Sequence, residues 1–578
     1  MTLSAVRTGV RSWKRGRAMT GLSRRAGLPP HAGDGRDGIP MADHEVPVLI
    51  AGGSLVGLTT SLLLAARGVP HMLVEQHRGT AIHPRAASFH QGTMEVFRSV
   101  GMQEAVDDAA EREFVQNGAI IAVESLSGKE LQYFYRSYND GVEGLSPTSR
   151  LFITQIGLEP LLRDRARELG AEHCFGTELV GFEQDDEGVT SVIRSRDRGT
   201  ERTVRSEYLV AADGAHSGVR ERLGIDMVGR GGFADCVTIY FKADVREMLG
   251  ERNLSVVYVN HPELLGFFRF AIGGDSGFLA VFATFGPDGS RDSDVGEHVD
   301  AARCADLVRT ALGAGAEFPV EIDNVQRWSA AAAAAERFRD RRVLLVGDAA
   351  HVMPPTGGFG GNTGIADAHN LAWKLAMVHG GAAGERLLDT YDAERRPVCQ
   401  LTVEQAYTRY VLRVDSSLPK DDLAEALDDA SIELGAVYRS EGVVEPAAEG
   451  APLEDPRVPT GRAGTRAPHL SLERDGVSVS TLDLFGGRFV LLAGAEGREW
   501  CNAAASVAAA WGVPLEAHCV AATGPLVDKE GRFADVYGVG SRGAVLVRPD
   551  RVIGWRTDAP GDDPRSTIED VMGRLLFR

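Results

Sequence analysis

The chain has 578 residues, of which 62 are Lys or Arg and 81 are Asp or Glu, so its formal net charge is -19. At about 150 residues per domain, this length predicts two to four domains. Charged residues make up 25% and hydrophobic residues 43%, which excludes disorder as the main state of the chain. No run reaches about 18 apolar residues and no fixed repeat is present, so neither a membrane span nor a fibrous repeat is expected. The acidic balance disfavours a nucleic-acid partner, which would require a basic face.

The first 40 residues differ in charge from the rest of the chain. They contain eight basic residues against two acidic ones, a charge of +6, so residues 41–578 carry -25. The segment lacks an apolar core of signal-peptide length. We predict that residues 1–40 form a disordered basic extension outside the fold; an arm that binds a membrane or a nucleic acid is the alternative.

Cysteine usage indicates the compartment. None of the six cysteines lies in a C-x-x-C pair and none clusters with histidines, which disfavours a metal site and a disulfide framework. Unpaired thiols are typical of a reducing compartment, so we predict a cytoplasmic protein without a metal. The six are Cys174, Cys236, Cys304, Cys399, Cys501 and Cys519.

The elements predicted in chain order begin with a strand over 46–51, a glycine cluster, an apolar helix and a strand that ends at Glu75, which together form one βαβ unit. Further predicted elements are a helix over 155–170, strands over 175–212, an antiparallel sheet from about 225 to 327, a buried strand over 342–347 and a helix over 362–379. The alanine run Ala330–Ala335 predicts a helix or a loop. A Pro- and Gly-rich linker then precedes a smaller α/β unit.

The first βα turn, Gly52–Gly57, approximates the dinucleotide fingerprint G-x-G-x-x-G. Gly52 permits the tight turn, the second position allows a diphosphate to approach the backbone, and Gly57 lets the helix pack on the strand. Ser54 stands where the second glycine is expected. Glu75 ends the next strand, where a carboxylate binds ribose hydroxyls. A plain tight turn is the alternative, and a second G-x-G-x-x-G at 538–543 is read as a loop because a strand follows it.

Two further motifs make a dinucleotide site more specific. Asp213–Arg220, of sequence DGAHSGVR, follows one predicted strand, and Gly347–His351, of sequence GDAAH, follows another. A carboxylate at the end of a strand can face the ribityl chain of a flavin. The glycine loop 357–364 opens a helix whose N-terminus can stabilise negative charge on a reduced flavin ring.

With these three motifs in this order, the chain resembles the class A flavoprotein aromatic hydroxylases, and within them the hydroxylases of polycyclic aromatic polyketides. The likeness extends from about residue 46 to the C-terminus, with a departure at Ser54. It implies an α/β fold: a Rossmann-like FAD-binding domain (41–224 and 328–445) with an inserted antiparallel substrate-binding sheet (225–327). A linker (446–468) and a thioredoxin-like C-terminal domain (469–578) follow. That domain has no C-x-x-C, so no dithiol chemistry is expected of it.

The resemblance also implies which residues bind FAD. It places the ADP half, the ribityl chain and the flavin ring along the three motifs. The family often has an arginine where this chain has Gly92, so a cofactor contact by that side chain is not carried over. The predicted FAD-binding residues are Gly52, Gly53, Ser54, Gly57, Glu75, Arg85, Gln155, Asp213, Gly214, Gly347, Asp348, Pro354, Gly360, Gly361, Asn362, Thr363 and Gly364.

The reaction that the resemblance implies is oxygen insertion by a flavin C4a-hydroperoxide, after NAD(P)H, bound transiently, has reduced FAD. The partners are then O2 and an aromatic small molecule, and the protein is a monomer or a homodimer. A base would assist by forming a phenolate, and His90 and Tyr240 are candidates, each with a structural or lining role as the alternative. Phenylalanines of the middle sheet are candidates for the substrate wall, although strand alternation lets only about half face it. They are Phe267, Phe268, Phe270, Phe282 and Phe285.

Three functions remain open from the sequence. The first is a monooxygenase that hydroxylates a polycyclic aromatic or phenolic substrate. The second keeps the cofactor site but performs Baeyer–Villiger insertion or oxidative rearrangement. The third is a non-catalytic FAD-binding or assembly protein.

Overall fold

The structure, a computed structural model, describes residues 43–82, 87–286, 288–292, 295, 300–445, 450–558 and 563–578. The predicted basic extension and Arg85 lie outside these ranges. Among the described residues, no helix combines the length and apolarity that crossing a membrane requires.

The strands alternate with helices in the first part of the chain and dominate its middle. In chain order the strands are β1 His44–Ala51, β2 His71–Glu75, β3 Ser88–Phe89, β4 Ala119–Val123, β5 Glu130–Tyr135, β6 Leu151–Phe152, β7 Glu172–Phe175, β8 Thr177–Gln184, β9 Val189–Ser195, β10 Glu201–Ala211, β11 Met227–Lys242, β12 Leu254–His261, β13 Leu264–Phe270, β14 Ser276–Phe285, β15 Arg291–Asp292, β16 Glu321–Ala335, β17 Arg339–Asp340, β18 Val343–Leu345, β19 His351–Val352, β20 Ser471–Arg474, β21 Val477–Ser480, β22 Phe489–Ala493, β23 Leu515–Cys519, β24 Leu526–Val527, β25 Ala544–Val547 and β26 Ile553–Thr557.

The helices are α1 Leu55–Ala65, α2 Gln91–Ser99, α3 Gln103–Glu113, α4 Gln155–Glu168, α5 Gly218–Arg222, α6 Arg246–Leu249, α7 Ala301–Leu312, α8 Phe359–His379, α9 Asp389–Arg413, α10 Asp429–Leu434, α11 Arg498–Trp511, α12 Phe533–Tyr537 and α13 Pro564–Leu576. Short 3-10 turns cover Gly347–Ala349, Glu385–Leu388 and Thr481–Leu484.

The first sheet has the order β17-β18-β10-β1-β2-β7, with β8 and β9 attached beside β10. Strands β18, β10, β1, β2 and β7 run parallel. Val48, Leu49 and Ile50 of β1 are fully buried, as expected of a parallel strand covered on both faces. Helices α4 and α8 pack against α1. The predicted βαβ unit is thus confirmed, and it aligns the carboxyl ends of β1, β2, β10 and β18 at one edge.

The second sheet has nine strands, in the order β19-β16-β11-β14-β13-β12-β4-β5 with β15 beside β14. It therefore includes β4, β5, β19 and the end of β16, which lie outside the predicted segment 225–327. The division into domains remains our proposal, with those strands added to the substrate sheet.

The alanine run is a strand, so the prediction of a helix or loop there is wrong. Ala330–Ala335 pairs with the glycine-rich start of β11, opposite Met227–Ala234. A Cβ on Gly229 would lie 2.6 Å from the Ala332 carbonyl oxygen, so small residues on both strands allow this close pairing. Pairing across the sheet outweighs the local helix propensity of alanine.

The C-terminal unit contains a four-stranded sheet in the order β23-β22-β25-β26, with β22 and β23 parallel and the rest antiparallel. Helix α11 connects β22 to β23, and α13 follows β26. This is the predicted thioredoxin-like arrangement. Its apolar core includes Trp373 and Met377 of α8, so the unit packs directly on the helix that begins at the predicted flavin loop.

Candidate active site

A continuous cavity of about 2220 Å³ runs from the carboxyl edge of the parallel sheet to one face of the nine-stranded sheet. Its walls come from both sheets and from the loop before α8. The predicted FAD-binding residues that line it are Gly52, Gly53, Ser54, Glu75, Gln155, Asp213, Gly214, Asp348 and Gly360. Met353 and Pro355 line it where Pro354 was predicted.

The turn between β1 and α1 has the geometry that the glycine fingerprint requires. Gly52 has φ +108°, a region favourable to glycine. A Cβ on Gly57 would lie 1.9 Å from the Gly52 carbonyl oxygen, and a Cβ on Gly53 would lie 2.6 Å from the Cβ of Glu75. The Gly53 N–H donates to Glu75 Oε2 over 2.7 Å. The turn therefore brings bare backbone and a buried carboxylate to the same end of the cavity.

Ser54, which replaces the second glycine of the fingerprint, forms a hydrogen bond with Glu159. Glu159 was not predicted from the sequence as a residue of the site. The Ser54 hydroxyl donates to Glu159 Oε1 over 2.6 Å, and Gln155 Nε2 donates to the same oxygen over 3.0 Å. The Ala81 N–H donates to the other oxygen over 2.7 Å. Glu159 is fully buried. The spacing of Gln155 and Glu159 on one face of α4 was an available signal.

We expect the substitution Ser54→Gly, which restores the glycine fingerprint, to weaken FAD binding about tenfold. The reason is that buried Glu159 loses a hydroxyl donor, and a hydrogen bond to a charged group contributes about 1.5–3 kcal/mol, part of which Gln155 retains. Fluorescence titration of the apoprotein with FAD measures the dissociation constant. Tighter binding by the glycine variant would show that the hydroxyl does not support the turn.

Asp213 lines the cavity and has one buried carboxylate oxygen without a partner in the described part of the chain. Its Oδ2 accepts the Val219 N–H at the start of α5 over 3.1 Å. Its Oδ1 is buried and has no hydrogen-bond partner among the described residues. Burial raises the pKa of this carboxyl.

Glycines also govern how α8 meets α1 beside Asp348. Gly347 has φ +59°, and a Cβ there would lie 2.8 Å from Val56 Cγ2. A Cβ on Gly364 would lie 2.5 Å from the same methyl and 3.1 Å from the Cα of Gly347. These glycines serve close packing, and Asp348 between the two elements faces the cavity.

His351 has a structural role. Its Nε2 lies 2.7 Å from Asp367 Oδ2, which also accepts the Gly347 N–H over 3.1 Å. Arg395 Nε donates to Asp367 Oδ1 over 2.8 Å. Side-chain atoms of His351, Asp367 and Cys399 lie within 4.8 Å of one another, a spacing that a metal can use. The Arg395 guanidinium already provides the positive charge at this carboxylate, so we assign the group to packing.

His90 does not line the cavity. Asn362 holds the backbone at His90 in place through hydrogen bonds to the start of α2. The His90 N–H and the Thr93 hydroxyl both donate to Asn362 Oδ1, over 2.9 and 2.7 Å. His90 Nε2 lies 3.2 Å from the Gly357 carbonyl oxygen, and its ring packs edge-on against Phe359. Burial lowers its pKa to about 3. His90 thus lies away from the cavity and contacts the loop before α8, which favours the structural role that the sequence left as the alternative to a catalytic base.

Helix α10 packs beside Gly92, the position where the family often has an arginine. A Cβ on Gly92 would lie 3.4 Å from both the Glu433 carbonyl oxygen and Leu434 Cδ2, which is an ordinary contact distance. Glu433 Oε2 accepts from Arg150 Nε over 2.9 Å, and its other oxygen lies 3.7 Å from His90 Nε2. Arg150 and Glu433 therefore form a buried ion pair close to the loop before α8.

We expect this pair to make stability depend on pH. Burial raises the pKa of Glu433 from 4.5 to about 7, despite the nearby Arg150. Between these pH values the folded protein keeps a proton that the unfolded chain has released, so stability falls as pH rises through the window. In Glu433→Gln this contribution is absent. The free energy of unfolding, measured for both proteins across the window, should show the wild type losing its advantage with rising pH; parallel curves would contradict the assignment.

The nine-stranded sheet presents a partly aromatic face to the cavity. Two of the candidates, Tyr240 and Phe267, line the cavity, and so do Phe278 and Trp328, which the sequence did not suggest. Thr238 and Gln326 add polar groups to the same face.

Of the other predicted wall residues, strand alternation turns two away from the cavity, and two on β14 do not line it. Phe268 and Phe270 lie on the opposite face, in the core beneath α7. Phe282 is buried behind Phe267, with ring centroids 5.8 Å apart, and Phe285 at the end of β14 does not line the cavity. Local sequence marks these residues as strand but does not assign the face.

Comparisons with known proteins identify the family. Residues 45–406 match the family model described as FAD binding domain, and residues 460–576 match the model described as aromatic-ring hydroxylase, C-terminal. The chain belongs to the FAD-dependent aromatic-ring hydroxylases. Like its relatives in that family, it is a flavin-dependent monooxygenase, and its cofactor is FAD.

Individual members of the hydroxylase family align over most of the chain. A 4-methyl-5-nitrocatechol 5-monooxygenase from Burkholderia sp is 49% identical over 543 residues, covering 93% of this chain and 98% of the relative. An aklavinone 12-hydroxylase from Streptomyces purpurascens is 39% identical over 549 residues, covering 93% of this chain and all of the relative. The crystal structure of aklavinone-11 hydroxylase with FAD and aklavinone is similar with a TM-score of 0.87 at 38% identity, covering 93% of this chain and 100% of that one.

Proposed function

We propose that the protein consumes NAD(P)H and O2 to hydroxylate a phenolic aromatic substrate, with a polycyclic ring system as the first candidate. The observation that supports this is one cavity of about 2220 Å³ that joins the fingerprint turn to the aromatic face of the nine-stranded sheet. FAD, when bound and reduced, activates O2 so that one oxygen atom reaches the substrate. The protein has to hold both molecules, orient them and exclude water.

The residues present fit FAD, and we propose their roles from position. The bare backbone at Gly52 and Gly53 and the N-terminus of α1 suit the diphosphate, because free N–H groups and the helix dipole attract negative charge. Glu75 suits the ribose of the adenosine half. Asp348 and Asp213 suit the ribityl chain and its surroundings, since each lines the cavity at the end of a strand.

The start of α8 would then face the flavin ring. Gly358 has φ +69° and caps the helix, and Gly360 lines the cavity in the first turn. The partial positive charge of this N-terminus stabilises negative charge on the ring. The remaining predicted residues from Gly361 to Gly364 support the helix rather than face the cavity.

Two substrate classes fit the far end of the cavity. Its aromatic face and the aklavinone hydroxylases support a flat polycyclic phenol, because apolar rings bury favourably against such a wall. The relative that acts on 4-methyl-5-nitrocatechol is more similar to this chain and supports a single-ring catechol as the second candidate. A polycyclic phenol would bury a larger ring area against the aromatic face of the cavity than a single-ring catechol would.

Tyr240 is the proposed base, because it lines the substrate end of the cavity. We expect Tyr240→Phe to reduce kcat about 100-fold, the lower range for loss of a general base, while FAD binding stays unchanged. The matched control is Tyr133→Phe, a tyrosine on the exposed strand β5. The pH profile of kcat separates the roles: a purely lining tyrosine would leave the profile of the variant like that of the wild type.

The function is tested by incubating the FAD-loaded protein with NADPH or NADH, O2 and a panel of polycyclic phenols, quinones and nitrocatechols. We expect substrate-dependent NAD(P)H oxidation and a product with one added ring hydroxyl in its NMR spectrum. A lactone or a rearranged ring would establish the Baeyer–Villiger or rearrangement alternative. A bound flavin that NAD(P)H does not reduce in the presence of these substrates would contradict NAD(P)H as the electron donor.

A further inference from the structure

Two cysteines of the C-terminal unit lie in contact. Cys501 Sγ and Cys519 Sγ are 3.2 Å apart, and both side chains are half-buried. Cys501 lies in the first turn of α11 and Cys519 ends β23. They are 18 residues apart in sequence, so no C-x-x-C spacing marks them, and dithiol chemistry was not expected here.

The topology of the unit explains the contact. Helix α11 starts after the carboxyl end of β22 and returns to begin β23, which runs parallel to β22. The start of the helix and the end of β23 are therefore at the same edge of the sheet. Cys519 pairs in register with Ala493, the last residue of β22.

The other cysteines have different surroundings. Cys399 contacts Arg395 and Asp367 in the core of the flavin-binding part, and Cys236 contacts the Ala234 carbonyl oxygen. Cys174 lies near Glu172 on β7. Among the described residues, Cys501 and Cys519 are the cysteines whose sulfurs contact each other.

We propose that Cys501 and Cys519 form a reversible disulfide when the protein meets hydrogen peroxide, which makes this pair an oxidative modification site. The peroxide is the two-electron reduction product of O2, the co-substrate in the proposed function. The site itself does not depend on that function, since the contact lies in the C-terminal unit.

The chemistry balances in two steps. One thiol, as its thiolate, attacks a peroxide oxygen; the O–O bond breaks, the sulfur becomes a sulfenic acid and one water leaves. The second thiol attacks the sulfenic sulfur, the S–S bond forms and a second water leaves. Two thiols are oxidised by two electrons and one hydrogen peroxide is reduced. A thiol or dithiol reductant reverses the change.

Burial and the adjacent Cys519 raise the pKa of Cys501 to about 12. Because the thiolate is the nucleophile, oxidation should be slow at neutral pH and faster in alkaline buffer. A disulfide here would tie α11 to β23 at the side of the apolar cluster that contains Trp373 of α8. The linkage would thus stiffen the unit that packs on the flavin-binding helix.

The test treats the FAD-loaded protein with hydrogen peroxide, then measures free thiols and maps cross-linked peptides by mass spectrometry. We expect the free thiols to fall from six to four, with a reductant-sensitive peptide that joins Cys501 to Cys519 and a mass lower by two hydrogens. The matched control Cys174→Ser should lose the same two thiols. Cys501→Ser and Cys519→Ser should form no intramolecular cross-link, and retained FAD absorbance shows that each is folded.

Two results would overturn the proposal. One is wild-type protein that retains all six thiols or oxidises without the Cys501–Cys519 peptide. The other is an equal loss of two thiols in Cys501→Ser, which would place the disulfide elsewhere. Neither result depends on hydroxylation of a substrate, which is measured in a separate assay. A failure of this proposal is therefore distinguishable from a failure of the proposed function.

Discussion

Replacing Gly57 by alanine is expected to leave the protein unable to retain FAD, with affinity reduced by at least about 100-fold, or about 2.8 kcal/mol. The new Cβ would lie 1.9 Å from the Gly52 carbonyl oxygen, and this neighbour is backbone that cannot rotate away. Helix α1 must therefore shift from β1, and its N-terminus moves from the place where the diphosphate is proposed to bind. The measurement is FAD content after purification, followed by titration of the apoprotein.

A control separates this local effect from a general loss of stability. Gly315 is exposed, and a Cβ there meets nothing within 4 Å, so Gly315→Ala should bind FAD like the wild type. Circular dichroism should show similar secondary structure in both variants. A Gly57→Ala protein that carries stoichiometric flavin would contradict the requirement for close helix–strand approach.

Replacing Arg548 by leucine should destabilise the protein by about 3–5 kcal/mol, the usual cost of breaking a buried ion pair. Arg548 is 1% exposed and donates to both oxygens of Glu394, over 2.6 and 2.8 Å, and to Asp550 over 3.0 Å. Lys374 Nζ, 2.8 Å from Glu394, would remain as the adjacent cation for two buried carboxylates. The shift in the denaturant midpoint measures the loss.

The matched control is an exposed arginine–glutamate pair. Arg386 Nη2 lies 2.6 Å from Glu441 Oε2, with side chains 70% and 72% exposed. Arg386→Leu should therefore cost less than about 1 kcal/mol, as is usual for surface pairs. If the two arginine variants lost similar stability, the buried cluster would not be what joins the C-terminal unit to α8 and α9.

Features encoded within a short stretch of chain were predictable. The glycine turn, Glu75 at the end of β2 and the Gly347–Asp348 strand end depend on local backbone chemistry, and each lines the cavity or shapes it. Features that depend on contacts between distant segments of the chain were not predictable. Ser54 and Glu159 are 105 residues apart in sequence, and Cys501 and Cys519 lie on different elements.

The sequence also did not show which face of a strand meets the cavity. Phe267 and Phe268 are adjacent and equally apolar, so their sequence does not show which one meets the cavity and which one enters the core. Pairing of β13 with β12 and β14 decides it. The two roles left open for His90 could not be separated for a similar reason, because only the fold shows that the first turn of α8 and the chain around Gly357 contact it.

Helix α8 has a consequence for exchanging parts between relatives. With 21 residues it is about 32 Å long, and it begins at the proposed flavin site and ends in the core of the C-terminal unit. Asn370 and Lys374 on this helix both bind Glu394, and Asn370 also donates to Asp550 of the C-terminal unit. A transplanted C-terminal unit would therefore have to arrive with matching residues on α8 and α9, whereas the substrate face of the nine-stranded sheet can be redesigned without touching that junction.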